Sequence, residues 1–199
     1  MVKEIRFAGF GGQGVILAAT VVGKAAAIYE GGYAALTQNF GPEARGGAAS
    51  AGLILSDEPI LYPYADHPDI LVILSQEAYT RFSPELKQDG LLIVEEELVK
   101  LGKLPPAVRV VGAPATRLAE ELGKKMVLNV VMVGFFAAVT GLLDKESYRK
   151  AIAATVPKAY TDLNLKAFER GYEQGQTAVS QRLAASEPPH VHALHYDGE

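Results

Sequence analysis

Residues 3–10 (KEIRFAGF) alternate polar and apolar positions toward an apolar end, the period-two signature of a strand. Residues 13–30 then carry apolar side chains at almost every position, with Val15, Ile16, Ala18, Ala19, Val22, Ala25 and Ala26 leaving little polar face. That pattern predicts a helix pressed closely against a sheet, because small side chains permit short approach distances. Further strands are predicted at residues 32–40 and 49–58, joined by the Gly-rich connection GPEARGG. The apolar run at residues 68–75 suits a strand covered on both faces, and a helix-compatible stretch follows at 76–86. Residues 89–97 and 107–115 supply two more strands and residues 115–123 another helix. Strands interspersed with helices predict an α/β fold with an open, largely parallel, Rossmann-like sheet and flanking helices.

Toward the C-terminus the pattern turns helical. Residues 126–143 run without a charged side chain and reach the lower length limit for a membrane span. Asn129, Gly134, Thr140 and Gly141 interrupt the run, and the preceding elements have the patterning of a globular α/β chain. A helix buried in the domain or in a subunit interface is therefore the favoured reading. Residues 144–156 and 164–175 read as amphipathic helices, the latter placing Leu165, Phe168 and Tyr172 on one face. From about Ser186 the chain is polar, Pro-containing and weakly patterned. The domain reading is thus one α/β unit over residues 1–185 and a polar tail over 186–199.

Composition removes several chemistries. The chain has 199 residues, enough for one sizeable core, and a net charge of −4, which offers no footprint for nucleic acid. It contains no cysteine, so disulfides, thiol nucleophiles and cysteine-ligated iron–sulfur clusters must lie elsewhere. The N-terminus lacks the pattern of a secretory signal, which predicts a cytoplasmic chain without a membrane anchor.

The spacing Gly9-x-Gly11-x-x-Gly14 between a strand and a helix is the context of a phosphate-binding loop. The rest of a nicotinamide site is missing. The second strand ends LTQNF rather than in an acid for the ribose, and Glu30 sits at a helix end instead. No Lys-Ser or Lys-Thr pair follows the glycines, so a P-loop is unsupported. Two readings stay open: the glycines serve only a tight turn and close helix-to-strand approach, or the helix N-terminus offers amides to an anion or a partner.

GFGGQGV, TQNFGPEARGGAAS, SDEPILYP, PDILVILSQEAY and GLLIVE, in this order and spacing, resemble the gamma subunit, or gamma-type domain, of the 2-oxoacid:ferredoxin oxidoreductases. The resemblance covers residues 5 to about 175. Members acting on pyruvate tend to carry an ERRG-type sequence where this chain has PEARGG, so the resemblance leans toward the 2-oxoglutarate or branched-chain 2-oxoacid (ketoisovalerate) enzymes. It implies a complex that decarboxylates a 2-oxoacid on thiamine diphosphate and magnesium, passes electrons through iron–sulfur clusters to ferredoxin, and forms an acyl-CoA. This chain lacks the GDG…N signature that holds the thiamine diphosphate; the nearest string, YDGE, lies in the tail. The resemblance therefore implies a noncatalytic part, with the cofactors in alpha, beta and ferredoxin-like chains and coenzyme A as co-substrate shaped by the gamma part.

By the same resemblance Gly9, Gly11, Gly12, Gln13 and Gly14 form the first motif, and Asn39, Gly41, Pro42, Glu43, Arg45, Gly46 and Gly47 the second. The first motif with Asn39 and Arg45 makes up the candidate cofactor-binding set, and the second motif the candidate partner interface; no catalytic residue and no metal ligand is assigned. The two loops are predicted to be neighbours. Arg45 could grip a carboxylate or phosphate with paired hydrogen bonds, or could pair locally with Glu43. Ser75, Gln76 and Glu77 read as the cap of a helix. Glu95, Glu96 and Glu97 read as a charged strand end whose side chains do not converge, and His190, His192 and His195 as part of a solvated tail. Gly12→Val is expected to damage the fold by putting a branched side chain into a crowded loop. Two alternatives stay open: a stand-alone dinucleotide-binding oxidoreductase, and a self-associating scaffold that forms a homodimer through residues 126–143.

Overall fold

The computed structural model describes residues 2–39 and 47–186. Six strands, β1 (Val2–Phe10), β2 (Tyr33–Asn39), β3 (Ala48–Ser56), β4 (Ile70–Ile73), β5 (Leu91–Glu95) and β6 (Arg109–Ala113), form one sheet in the order β2-β3-β1-β4-β5-β6. The helices are α1 (Val15–Lys24), α2 (Gln76–Phe82), α3 (Ala115–Glu121), α4 (Leu128–Thr140), α5 (Lys145–Ala153) and α6 (Thr161–Ser186). Pairs β1/β4, β4/β5 and β5/β6 are parallel, whereas β3 is antiparallel to both β1 and β2. β3 alone is reversed, so the sheet is mixed with five of its six strands running one way. The exception has a topological cause: β2 ends at Asn39 and β3 starts at Ala48, and a connection that short joins an antiparallel pair, whereas a parallel crossover takes a dozen residues or more.

Period two along the strands divides the core. Ile5, Phe7, Ala51, Leu53 and Leu55 face α1, α4 and their neighbours, while Ala8, Ala48, Leu71, Ile73, Leu92 and Val94 face α2. The continuous apolar run of β4 follows from burial on both faces. α1 continues into a π-helical turn over Ala25–Tyr29 and stops at Gly31, whose φ of 72° is open to glycine at little cost.

The charge-free run resolves into a short 3-10 turn, the 13-residue α4 and a left-handed C-cap at Gly141. Every residue from Leu128 to Ala137 is buried. Among the described residues no helix is long and apolar enough to cross a membrane. α4 lies against α6 at backbone contact. A methyl group at Gly134 would overlap the Phe168 carbonyl, and one at Gly171 the Val131 carbonyl. Phe136 of α4 meets Phe7 of β1 with ring centroids 5.5 Å apart, joining the helical layer to the sheet. Residues 128–137 are thus spent inside the chain, which leaves Met126 and the part of the run from Ala138 on for the homodimer considered from the sequence.

Candidate functional site

The first glycine motif sits at the carboxyl end of β1, beside β4, where the chain's connections diverge to opposite sides of the sheet. In open α/β sheets this is where the ligand crevice forms. Here a side chain fills part of it. Gln13 accepts from the Phe10 amide at 2.6 Å through Oε1 and donates from Nε2 to the Leu74 carbonyl at 3.0 Å. Gly9 makes room for this, since a Cβ there would lie 2.5 Å from Gln13 Oε1 and 3.1 Å from both Leu74 and Val15.

The other glycines divide their duties. The Gly11 amide donates to the Gly47 carbonyl at 3.1 Å, which brings the last residue of the second motif beside the first. Gly14 is left-handed at φ 75°, and a Cβ there would collide with Asn129, whose Nδ2 donates to the Gly14 carbonyl at 3.2 Å. Gly12, at φ 98°, has none of the described residues within 4 Å of where its Cβ would be. Among the described residues it is therefore the positive φ, not the expected crowding, that disfavours valine. Among the described residues, none accepts a hydrogen bond from the Gly12 or Gly14 amide.

Gly12 and Gln13 border a cleft of about 320 Å³ whose other walls are Leu98, Thr116, Lys125, Met126 and Leu128. Its mouth is apolar, with Met126 71 % and Leu98 42 % exposed. Lys125 stands at the edge in an exposed ion pair with Glu120 at 2.8 Å, and the hydrogen bond to that carboxylate raises its pKa. The Thr116 hydroxyl is buried with no partner among the described residues.

Behind the cleft, the fully buried Glu95 accepts from the amides of Leu98 at 2.7 Å and Thr116 at 3.1 Å. One carboxylate thus closes the turn after β5 and caps the start of α3. β5 ends at Glu95, so Glu96 and Glu97 belong to the turn, and among the described residues no group of acids or histidines could hold a metal ion. Ser75 caps α2, its Oγ accepting from the Ala78 amide at 3.2 Å. Gln76 reaches the Lys100 backbone from both ends of its amide, at 2.7 and 3.3 Å, and secures the segment that carries Leu98.

Asn39 is not in this cleft. Register pairs it with Ser50 on the α2 side of the sheet, where it lines a separate groove of about 480 Å³ with Thr37, Tyr64, His67, Arg81 and Glu85. Arg6 forms part of the floor of that groove, donating to the Ala65 carbonyl at 2.6 Å and pairing with Glu85. Burial lowers its pKa, opposed by the nearby charge of Asp66. Gly41, Pro42, Glu43, Arg45 and Gly46 lie outside the described residues, as do His190, His192 and His195. Sequence reasoning missed Glu95 as a cap and Asn129 as the tie between α4 and the loop. For Asn129 the signal was a lone amide in an otherwise apolar helix, a residue that must find a partner when buried.

Topology also argues against a nicotinamide ribose site. On the side of β1 away from β4 lies the reversed β3, which presents Ala48, its first residue, next to Phe10. Its carboxyl tip lies at the opposite end of the strands, and β2, whose carboxyl tip is at the glycine-loop end, closes on Asn39 rather than on an acid. Glu30, at a suitable sequence distance, instead accepts from the Asp144 amide at 2.5 Å and secures the start of α5.

Fold and site together define a Rossmann-like α/β subunit whose glycine loop is largely occupied by its own side chains and backbone. The chain belongs to the family described as pyruvate ferredoxin/flavodoxin oxidoreductase, which matches residues 4–174. It is 47% identical over 175 residues to the 2-oxoglutarate synthase subunit KorC of Methanocaldococcus jannaschii, covering 87% of this chain and 94% of that one. It is 36% identical over 176 residues to the pyruvate synthase subunit PorC of Methanothermobacter marburgensis, covering 86% and 96%. The crystal structure of a keto/oxoacid ferredoxin oxidoreductase gamma subunit from Geobacter sulfurreducens superposes with a TM-score of 0.80 at 39% identity, over 89% of this chain and 98% of that one.

Proposed function

We propose that the chain is the noncatalytic gamma subunit of a thiamine-diphosphate-dependent 2-oxoacid:ferredoxin oxidoreductase, with 2-oxoglutarate as the oxoacid. The observation that carries the reading is the 47% identity to a KorC subunit over nearly the full length of both chains, against 36% to a PorC subunit. The residues agree with a supporting role. With no cysteine the chain cannot ligate an iron–sulfur cluster, and its sequence lacks the GDG…N signature that holds thiamine diphosphate in the family it resembles. Those groups belong to alpha, beta and ferredoxin-like partner chains, and electrons leave the complex to an external ferredoxin in the cytoplasm.

What this chain supplies is surface. The cleft beside Gly12 and Gln13 combines an open amide, a lysine and an apolar mouth, a mixture that suits a ligand with an anionic end and an apolar body, such as coenzyme A, or the apolar side chains of a partner. Gly9, Gly11 and Gly14 act indirectly by holding the loop, while Asn39 and the second motif, Arg45 included, face the partner chains. Reconstitution from purified subunits tests the reading: 2-oxoglutarate- and coenzyme-A-dependent reduction of ferredoxin requires this chain. Undiminished activity without it rejects the proposal. Tight one-to-one binding of NAD, NADP or FAD by the isolated chain would favour a dinucleotide enzyme instead.

A further inference from the structure

The two edges of the sheet are treated differently. β6 is short, begins with the exposed Arg109, and is overhung at its far end by Glu96, whose carboxylate would lie 2.8 Å from a Cβ at Gly112. Charges placed in this way discourage another strand from adding to an edge. β2 has no such protection. Its seven residues, Tyr-Ala-Ala-Leu-Thr-Gln-Asn, include no charge and no proline, and they pair with β3 in unbroken register from Tyr33 with Ser56 to Asn39 with Ser50. Among the described residues no strand lies on its outer side, and Tyr33 and Leu36 are 45% and 36% exposed.

We propose that β2 is the seam of a twofold-symmetric dimer, in which it pairs antiparallel with β2 of a second copy of this chain across an axis at Leu36. Such an axis joins the two sheets into one and sets Leu36 against its own counterpart. Ala35 then faces Thr37, Ala34 faces Gln38, and Tyr33 faces Asn39. The strand's own chemistry favours a second copy as occupant. The strand itself carries no charged residue, so two copies of this chain of net charge −4 meet along it without bringing like charges together. Leu36 meets Leu36, the Ala35–Thr37 and Ala34–Gln38 pairs set a small side chain against a larger one, and Tyr33–Asn39 sets a ring against an amide, so the strand fits its own copy, as an isologous interface requires. The seam joins copies of this chain in the absence of its catalytic partners and meets the surface assigned to them only at Asn39, at its two ends.

A seam of this length buries on the order of 1,000 Å² in total, at the low end for specific association, so the dimer is concentration-dependent. Sedimentation velocity of the full chain from about 1 to about 500 µM is expected to show the mass rising from 21.2 kDa toward twice that value. Leu36→Lys and Leu36→Glu, with unchanged circular dichroism, each remain monomeric, and an equimolar mixture of the two restores the dimer. A wild-type chain monomeric throughout, a dimer that persists in both variants, or a mixture that fails to associate overturns the proposal. If the variants do not fold, amide hydrogen exchange of the wild type decides. Protection of Tyr33–Asn39 that rises with concentration supports the seam, and protection that does not change rejects it.

Discussion

The Gln13 side chain donates to the Leu74 carbonyl at 3.0 Å, so the residue inside the glycine loop also ties the end of β1 to the end of β4. Its other amide atom accepts from Phe10. A loop that could cradle an anion is thereby braced from within, and much of what looks like ligand chemistry in the motif is spent on holding the crevice in shape.

Gln13→Ala removes both bonds and leaves the Leu74 carbonyl in a partly closed site. The expected loss is about 1–2 kcal/mol in urea unfolding. Gln13→Glu keeps an acceptor for Phe10 but sets a carboxylate against the Leu74 carbonyl, and is expected to be no better than alanine at neutral pH.

Two glycines of the loop respond differently to a methyl group. Gly14→Ala combines a left-handed φ of 75° with collision into Asn129 and is expected to cost at least ~2 kcal/mol. Gly12→Ala meets only the backbone preference and costs ~1 kcal/mol. Equal losses at the two positions, measured by chemical denaturation, would contradict this division.

Close packing of α4 on α6 makes Gly171 intolerant of any side chain, because the Val131 carbonyl occupies the space of its Cβ. Gly171→Ala is expected to cost about 3 kcal/mol, with loss of cooperative unfolding if the helices separate. At Gly123 a methyl group would meet nothing within 4 Å, so Gly123→Ala pays only for its φ of 74° and is expected to stay near 1 kcal/mol.

Acid sensitivity follows from two paired carboxylates. At Asp69 desolvation pushes the pKa up, but hydrogen bonds from the Glu4 amide and Lys87, with the charge of Lys87, hold it below the ordinary value. At Glu169 burial likewise opposes and is outweighed by Lys145 and Arg149. Both folded values are lowered, so their stabilisation is complete at neutral pH, above the unfolded carboxylate range. It is lost as pH falls through the lowered folded values. Asp69→Asn and Glu169→Gln together should reduce stability at pH 7 and flatten the acid limb of a thermal-melting profile against pH.

Under the proposed function, Met126→Glu places a charge at the apolar mouth of the cleft. Assembly with the partner chains or the KM for coenzyme A is expected to worsen at least tenfold, as removal of a central apolar anchor does. The melting temperature of the isolated chain stays unchanged, because Met126 is exposed.

Much of the architecture is legible without coordinates. Alternation in β1, the unbroken apolar run of β4 and the small-residue face of α1 each encode burial directly, since the period of side-chain direction is a property of the local backbone. The contact of Gly11 with Gly47 rests on the antiparallel register that sets Phe10 against Ala48, a pairing the sequence did not show. The separation of Asn39 from the cleft was not legible. It depends on the register of β2 against β3, and a shift of one residue would have turned Asn39 to the other face.

The sequence by itself determined the elements, the family motifs and the absence of cluster-binding sulfur, because each of these resides in residue type and near-neighbour spacing. Only the tertiary structure decided that β3 runs backward, that Gln13 and Asn129 crowd the glycine loop, that Glu95 is a buried cap, and that β2 lies at an edge of the sheet. Those outcomes join residues as far apart as the 115 positions between Gly14 and Asn129. No local preference specifies such a meeting; the shared core that brings the elements together does.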